Sequence, residues 1–171
     1  KGSGESVWDI KERLGWVSAD LQFQYPANVN GSHVVCSGFF DSIGLYRAAT
    51  AIQRRQAQKV ISALGIDELS TKTFGLLSHG QKQMLLIARA IVKPPLLLLL
   101  DDPCDGLDVA NRRKIMEIID FIGCHTPTTV IYAANNDRDR LNCLTHRLYL
   151  DRGSATISLP AGADPYRARG H

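Results

Sequence analysis

The sequence predicts an α/β fold built around a buried parallel sheet, and three stretches carry this prediction. Residues 96–100 are five consecutive leucines, a run that is too short to cross a membrane and is typical of a strand covered on both faces. Residues 14–17 and 128–133 have the apolar and β-branched composition of two further strands. Segments with helical periodicity, including residues 51–64, separate these three strands.

The helix before the leucine run begins with a capping signal. Ser78 is followed three residues later by Gln81, the spacing at which each side chain can bond the other residue's backbone N–H. The open N–H groups and positive dipole end of such a helix form an anion site, and Gly80 has no side chain to keep a phosphate away. Pro94 and Pro95 are predicted to end the helix. Its predicted apolar face consists of Met84, Leu85, Ile87, Ala88, Ile91 and Val92.

Two carboxylates directly follow the leucine strand. Open α/β sheets bind their ligands beyond the carboxyl ends of the strands, so Asp101 and Asp102 suit a metal–phosphate role. The alternative is a solvated turn that merely carries two acids. The residues DGLD at 105–108 then turn the chain into a predicted amphipathic helix over residues 111–122, which Gly123 is expected to close.

Composition and charge limit the class of protein. The chain has 171 residues, of which 44% are hydrophobic, enough for one domain-sized core. Its 20 basic and 17 acidic residues are intermixed, so no basic stripe indicates nucleic-acid binding. No signal peptide or membrane-length apolar run is present, so membrane association would require a partner. The cysteines lack a C-x-x-C pair and are expected to be buried thiols: Cys36, Cys104, Cys124 and Cys143.

Three motifs in a fixed order resemble a known family. LSHGQ at 77–81 resembles the LSGGQ signature of ATP-binding cassette (ABC) ATPases. LLLLLDDP at 96–103 resembles their Walker B strand, which usually ends in DEP, and DGLD resembles their D-loop. The wider text at 2–18, 36–46 and 145–153 is similar to the second cassette of ModF-type proteins, which are associated with molybdate uptake.

The resemblance implies an ABC ATPase domain, related to P-loop NTPases, with an inserted helical subdomain. The implied divisions are a helical subdomain at about 28–93, a Walker B, D-loop and switch part at about 94–159, and a polar tail at 160–171. The family's first strand, Walker A loop and first helix would precede Lys1, so an N-terminal truncation is expected. GSGES at 2–6 resembles the end of a phosphate loop, but Glu5 stands where the loop's lysine belongs, which favours a surface turn.

Site residues are carried over from the resemblance position by position. Asp101 takes the Mg²⁺-associated Walker B position, Asp102 the position of the catalytic glutamate, and Asn135 that of the switch histidine. The implied cofactors are therefore ATP and Mg²⁺. The implied ATP-binding residues of the signature and the D-loop are Ser78, Gly80, Gln81 and Asp108.

Several departures from the family pattern predict that the chain's own nucleotide site is inactive. Ala19 stands where most cassettes carry the Q-loop glutamine, with Gln22 and Gln24 nearby as substitutes or as solvent-facing loop residues. Asn135 can donate a hydrogen bond, but unlike a histidine it cannot take up a proton and become positively charged. His79 replaces a glycine of the signature, where it would crowd a nucleotide or add a donor.

Three classes of function remain open at this stage. The resemblance favours part of a transport ATPase, molybdate-related, that supplies its signature motif to an ATP site shared with a second cassette in the same polypeptide or in a homodimer. Such a protein is cytoplasmic, or peripheral at the inner membrane face through a permease. A non-hydrolytic scaffold and a non-transport cassette of the regulatory or translation type are the alternatives.

Overall fold

The computed structural model describes residues 13–44, 47–135 and 139–159. Three parallel strands form the central sheet in the order β1–β2–β3, where β1 is Leu14–Ser18, β2 is Leu97–Asp101 and β3 is Thr129–Ala133. The leucine strand β2 therefore lies in a parallel sheet, as predicted, and the structure places it at the centre of the three strands. The phosphate-loop-like turn at 2–6 and the polar tail at 160–171 lie outside the described residues.

The described residues also form four α-helices and a hairpin. The helices are α1 (Gly31–Ser37), α2 (Ala51–Ala63), α3 (His79–Ile91) and α4 (Val109–His125), and the antiparallel hairpin pairs β4 (Arg147–Asp151) with β5 (Ser154–Ser158). Helix α3 packs against β1 and against the other three helices, so it forms the centre of the core. Its fully buried side chains are Leu85, Leu86, Ile87 and Ala88.

The start of α3 confirms the predicted capping signal, and both ends of α2 are also capped. Ser78 and Gln81 form both hydrogen bonds of the predicted capping box at the start of α3. Thr50 and Gln53 form a second capping box at the start of α2. The chain leaves α2 through Gly65, whose φ of +61° lies in the left-handed region that glycine adopts without a Cβ clash.

Two details of the sequence prediction are wrong. The leucine strand is not covered on both faces, because Leu98 and Leu100 are buried while Leu97 and Leu99 are only half-buried. Gly123 does not close α4, which continues to His125. A Cβ at Gly123 would lie 2.6 Å from Cβ of Cys143, so the close approach of the following chain explains this glycine.

The prediction of buried thiols holds for only part of the set. Cys36 and Cys104 are buried, Cys143 is half-buried and Cys124 is exposed, and all four are free. Cys124 is exposed because it lies in the last turn of α4, away from the buried face that carries Ile115, Ile118, Ile119 and Ile122.

Large apolar side chains are exposed along β3 and the hairpin, namely Ile131, Leu148, Leu150 and Ile157. Within the described ranges, no helix is long and apolar enough to cross a bilayer. The proposed subdomain boundaries at about 28, 93 and 159 are not tested by these contacts and stay predictions.

Candidate functional site

The carboxyl ends of the three parallel strands meet at one edge of the sheet. The register places Ser18, Asp101 and Ala133 side by side as the last residues of β1, β2 and β3. Each strand then leaves the sheet at this edge, β1 into the 3₁₀ turn Ala19–Gln24 and β2 into a turn at Asp102. This edge is the place where open α/β sheets bind ligands.

Asp102 and Asn135 are brought together at this edge. The backbone N–H of Asn135 donates to Oδ1 of Asp102 at 3.1 Å, and Nδ2 of Asn135 donates to Oδ2 at 2.5 Å. Asp102 has a left-handed backbone with φ +44°, a conformation that aspartate and asparagine adopt more readily than most residues. Both carboxylate oxygens therefore have a fixed donor, and each retains a lone pair with which to accept from a water molecule.

Asp101 is exposed, and its carboxylate makes no hydrogen bond to a described residue. Mg²⁺ is usually held by one or two carboxylates together with phosphate oxygens and waters, so one such carboxylate fits a nucleotide-bound Mg²⁺. A metal site built from protein ligands alone would need several such side chains around one point. The part of the chain that the structure describes contains no group of three His, Cys, Asp or Glu residues able to hold a metal.

The signature residues lie at the start of α3 with backbone donors left open. Oγ of Ser78 accepts from the N–H of Gln81 at 3.3 Å, and Oε1 of Gln81 accepts from the N–H of Ser78 at 3.1 Å. The N–H groups of His79 and Gly80 have no acceptor among the described residues. The helix thus presents two unsatisfied donors at its positive end, the local arrangement that binds anions.

The D-loop packs directly against the signature turn. Asp108 is the N-cap of α4, and its Oδ1 accepts from the N–H groups of Ala110 and Asn111, each at 3.0 Å. Hydrogen bonds from Asn111, followed by the N–H of Ala110, hold the pKa of Asp108 below its usual value. A Cβ on Gly80 would lie 2.5 Å from Cβ of Asn111, so the starts of α3 and α4 touch there.

The structure therefore divides the predicted site residues into two groups. Asp101, Asp102 and Asn135 lie at the edge of the sheet. The second group lies where the starts of α3 and α4 meet: Ser78, Gly80, Gln81 and Asp108. No hydrogen bond among the described residues joins the signature residues to the sheet-edge group.

Gln22 is not a solvent-facing loop residue. Its side chain is buried, and Nε2 lies 2.9 Å from Nδ1 of His79 in the signature turn. Gln24 is exposed. Gln22 lies three residues after Ala19, the position at which most cassettes carry the Q-loop glutamine. Its side chain therefore contacts the start of α3.

A buried acid that the sequence analysis did not identify connects the D-loop helix to the chain after Asn135. The carboxylate of Asp139 is 3% exposed and pairs with Arg112, with Nε at 2.7 Å and Nη2 at 2.5 Å from Oδ1. The hydroxyl of Tyr132 on β3 donates to Oδ2 of the same carboxylate. Burial is the main reason why the pKa of Tyr132 is raised and that of Cys104 is raised to about 11.

Comparison with known proteins identifies the family. The family model described as ABC transporter matches residues 3–105. The chain belongs to the ABC transporter family. This confirms the recognition that rested on the signature, the Walker B strand and the D-loop, and it confirms the cassette fold.

Curated relatives in this family include proteins with molybdenum in their names. The chain is 40% identical over 149 residues to the ABC transporter ATP-binding protein ModF of Escherichia coli, covering 86% of the chain and 30% of the relative. It is 34% identical over 154 residues to the uncharacterized ABC transporter ATP-binding protein YlmA of Bacillus subtilis, with coverages of 89% and 58%. It is 31% identical to the molybdenum import ATP-binding protein ModC of Aromatoleum aromaticum, with coverages of 70% and 32%.

Solved ABC cassettes share the fold. The structure aligns with cbiO1 of Clostridium perfringens, part of the ABC transporter complex cbiONQ, with a TM-score of 0.74 and 22% identity. That alignment covers 92% of this chain and 61% of the other. A dimeric structure of the bacterial cassette MJ0796 aligns with a TM-score of 0.68 and 22% identity, covering 94% and 65%. The chain spans less than two thirds of the length of these relatives.

Proposed function

We propose that this ABC domain supplies its signature motif to an ATP site that it shares with a second cassette. The observation that carries the proposal is the start of α3, where a complete capping box leaves the N–H groups of His79 and Gly80 open. These donors suit the terminal phosphate of a nucleotide bound by another domain, because a helix N-terminus favours negative charge.

The surroundings of the signature turn suit contact with another protein. Leu76, just before the turn, is 87% exposed, and Val109, just after the D-loop aspartate, is 85% exposed. The contact between Gly80 and Asn111 places the starts of α3 and α4 next to each other. Exposed apolar side chains beside open polar donors are typical of an interface that is buried on association. The second cassette lies in the same polypeptide or in a second copy of it.

The sheet edge would serve the chain's own nucleotide if a phosphate loop were supplied. Asp101 would then help to hold Mg²⁺ beside ATP, and Asp102 would orient the attacking water, with Asn135 holding its carboxylate in place. Phosphate contacts in this class come mainly from a lysine and backbone N–H groups of the phosphate loop. We therefore expect the 171-residue chain alone neither to bind MgATP tightly nor to hydrolyse it.

We further propose that the transported substrate is related to molybdate. The support is the 31% identity to ModC, whose name associates that protein with molybdenum import, together with the sequence resemblance to ModF-type proteins, one of which is 40% identical to this chain. The transport partner would be a membrane permease, which places the domain at the cytoplasmic face of the membrane.

The experiment tests the signature directly through Ser78→Arg. The full-length protein, wild type or variant, is paired with a cassette that retains its own phosphate loop, and the ATPase rate is measured together with thermal stability. Loss of the cap costs about 0.5–2 kcal/mol, whereas an arginine at the turn blocks the approach of the phosphate. We expect the partner's ATPase activity to be lost while the domain stays folded.

Thr50→Arg is the matched control. Thr50 caps α2 through the same kind of capping box but lies outside the signature turn. The control should lose a similar amount of stability and keep the ATPase activity. Equal rates for wild type and Ser78→Arg at equal stability would refute the proposal and would favour the scaffold alternative.

A further inference from the structure

A buried glutamine is within hydrogen-bond distance of the His79 ring. Gln22 is 6% exposed in the turn after β1, and its Nε2 lies 2.9 Å from Nδ1 of His79. A glutamine Nε2 can only donate, so Nδ1 of His79 must accept this hydrogen bond. This arrangement corresponds to the tautomer with its ring proton on Nε2.

The position of the His79 ring leaves Nε2 available as a hydrogen-bond donor. His79 is the first residue of α3, beside the open N–H groups of His79 and Gly80, and its side chain is only half-buried. Nδ1 is bonded to the buried side, and Nε2 has no hydrogen-bond partner among the described residues. The signature turn thus carries a third donor next to its two backbone donors.

We propose that His79 donates from Nε2 to the terminal phosphate of the nucleotide held by the opposing cassette, and that Gln22 is the residue that positions it. This inference rests on the proposed function, because it concerns the same signature surface. A donor aimed at the terminal phosphate favours ATP over ADP, since ADP lacks the group that accepts the bond. His79 is therefore a residue that distinguishes the two nucleotides at the surface where the family pattern has glycine.

The tautomer is measured first, by ¹⁵N NMR of the full chain labelled at histidine. The expected spectrum of the wild type shows His79 with its proton on Nε2. Gln22→Met is similar in size but cannot donate, so the His79 signal should move toward a mixture of tautomers. Gln24→Met changes an exposed glutamine of the same turn and should leave the signal unchanged. A wild-type His79 with its proton on Nδ1 would overturn the inference.

The nucleotide preference is measured next. A cassette with an intact phosphate loop is immobilised and loaded with Mg²⁺ and either a non-hydrolysable ATP analogue or ADP, and its association with the chain is followed. We expect the wild type to prefer the ATP form. His79→Ala should reduce this preference by about tenfold, the lower end for a hydrogen bond to a charged group. Gln22→Met should reduce it less, and Gln24→Met not at all.

Ser78→Arg separates the failure of this inference from the failure of the proposed function. If Ser78→Arg abolishes the ATP preference while His79→Ala keeps it, the proposed function stands and the role of His79 is refuted. If the wild type itself shows no preference for the ATP form, both are refuted. A reduced preference in His79→Ala and in Gln22→Met, with the expected tautomer, supports both the phosphate contact of His79 and its positioning by Gln22.

Discussion

Gly80→Ala tests how tightly the signature turn and the D-loop helix are packed. The new Cβ would lie 2.5 Å from Cβ and 2.6 Å from Cγ of Asn111. The first contact is about 1 Å shorter than a comfortable carbon–carbon separation. The side chain of Asn111 cannot easily rotate away, because Nδ2 donates to Oδ2 of Asp108 at 2.5 Å. Either this bond breaks or the starts of α3 and α4 move apart.

The two opposing effects have different sizes. Overpacking of this kind costs about 1–3 kcal/mol, whereas alanine gains about 0.5–1 kcal/mol over glycine in a helix. We therefore expect a net loss of about 1–2 kcal/mol. For a chain of this length, that loss lowers Tm by roughly 2–8 °C. Thermal unfolding followed by circular dichroism measures the change.

A double-mutant cycle with Asn111→Gly provides the control. In the Asn111→Gly background the obstructing side chain is absent, so Gly80→Ala should become neutral or stabilising. The predicted result is that Gly80→Ala destabilises the protein only when the Asn111 side chain is present. If Gly80→Ala stabilises the protein even with Asn111 present, the contact is softer than the distances imply, and the packing explanation for this glycine is wrong.

Three further predictions concern buried groups. Both amide atoms of Gln83 are buried without a partner among the described residues, so Gln83→Met should raise the unfolding free energy by about 1–2 kcal/mol in urea titrations. Asp139→Ala removes the acceptor shared by Arg112 and Tyr132 and should lower the unfolding free energy by about 2–4 kcal/mol in the same assay. This loss is smaller than for a fully buried ion pair, because Arg112 is partly exposed. Asp139→Asn should lower the unfolding free energy by less. At pH 8 a thiol reagent should modify the exposed Cys124 first, because burial raises the pKa of Cys104 to about 11 and that of Cys143 to about 12. Mass spectrometry that found Cys104 modified first would contradict this prediction.

Local signals in the sequence predicted where the candidate site residues on regular elements lie. The Ser78–Gln81 spacing predicted the start of α3, and the leucine run predicted the central strand with Asp101 at its end. These features depend on residues close together in the chain, which is why pattern analysis detects them.

Contacts between residues that are far apart in the sequence could not be predicted from local patterns. The hydrogen bond from Gln22 to His79 joins residues 57 positions apart, and Asp139 meets Arg112 across 27 positions. Neither pair has a spacing that marks it. Gly123 looked like the end of a helix because glycine often is, but here the close approach of Cys143 requires it. A buried glutamine in a polar turn gives no signal until the packing is known.

The hydrogen bonds between Asp102 and Asn135 also constrain how the sequence can evolve. Asp102→Glu alone would carry the carboxylate one methylene past the amide and would place glutamate in a left-handed backbone that suits aspartate better. Asn135→His alone would remove the side-chain amide that bonds Oδ2. A stepwise change to the glutamate and histidine of the family pattern would therefore pass through a single mutant that has lost the bond between Asp102 and Asn135 and does not yet have both new residues. Among homologues of this chain, the two positions should change together rather than one at a time.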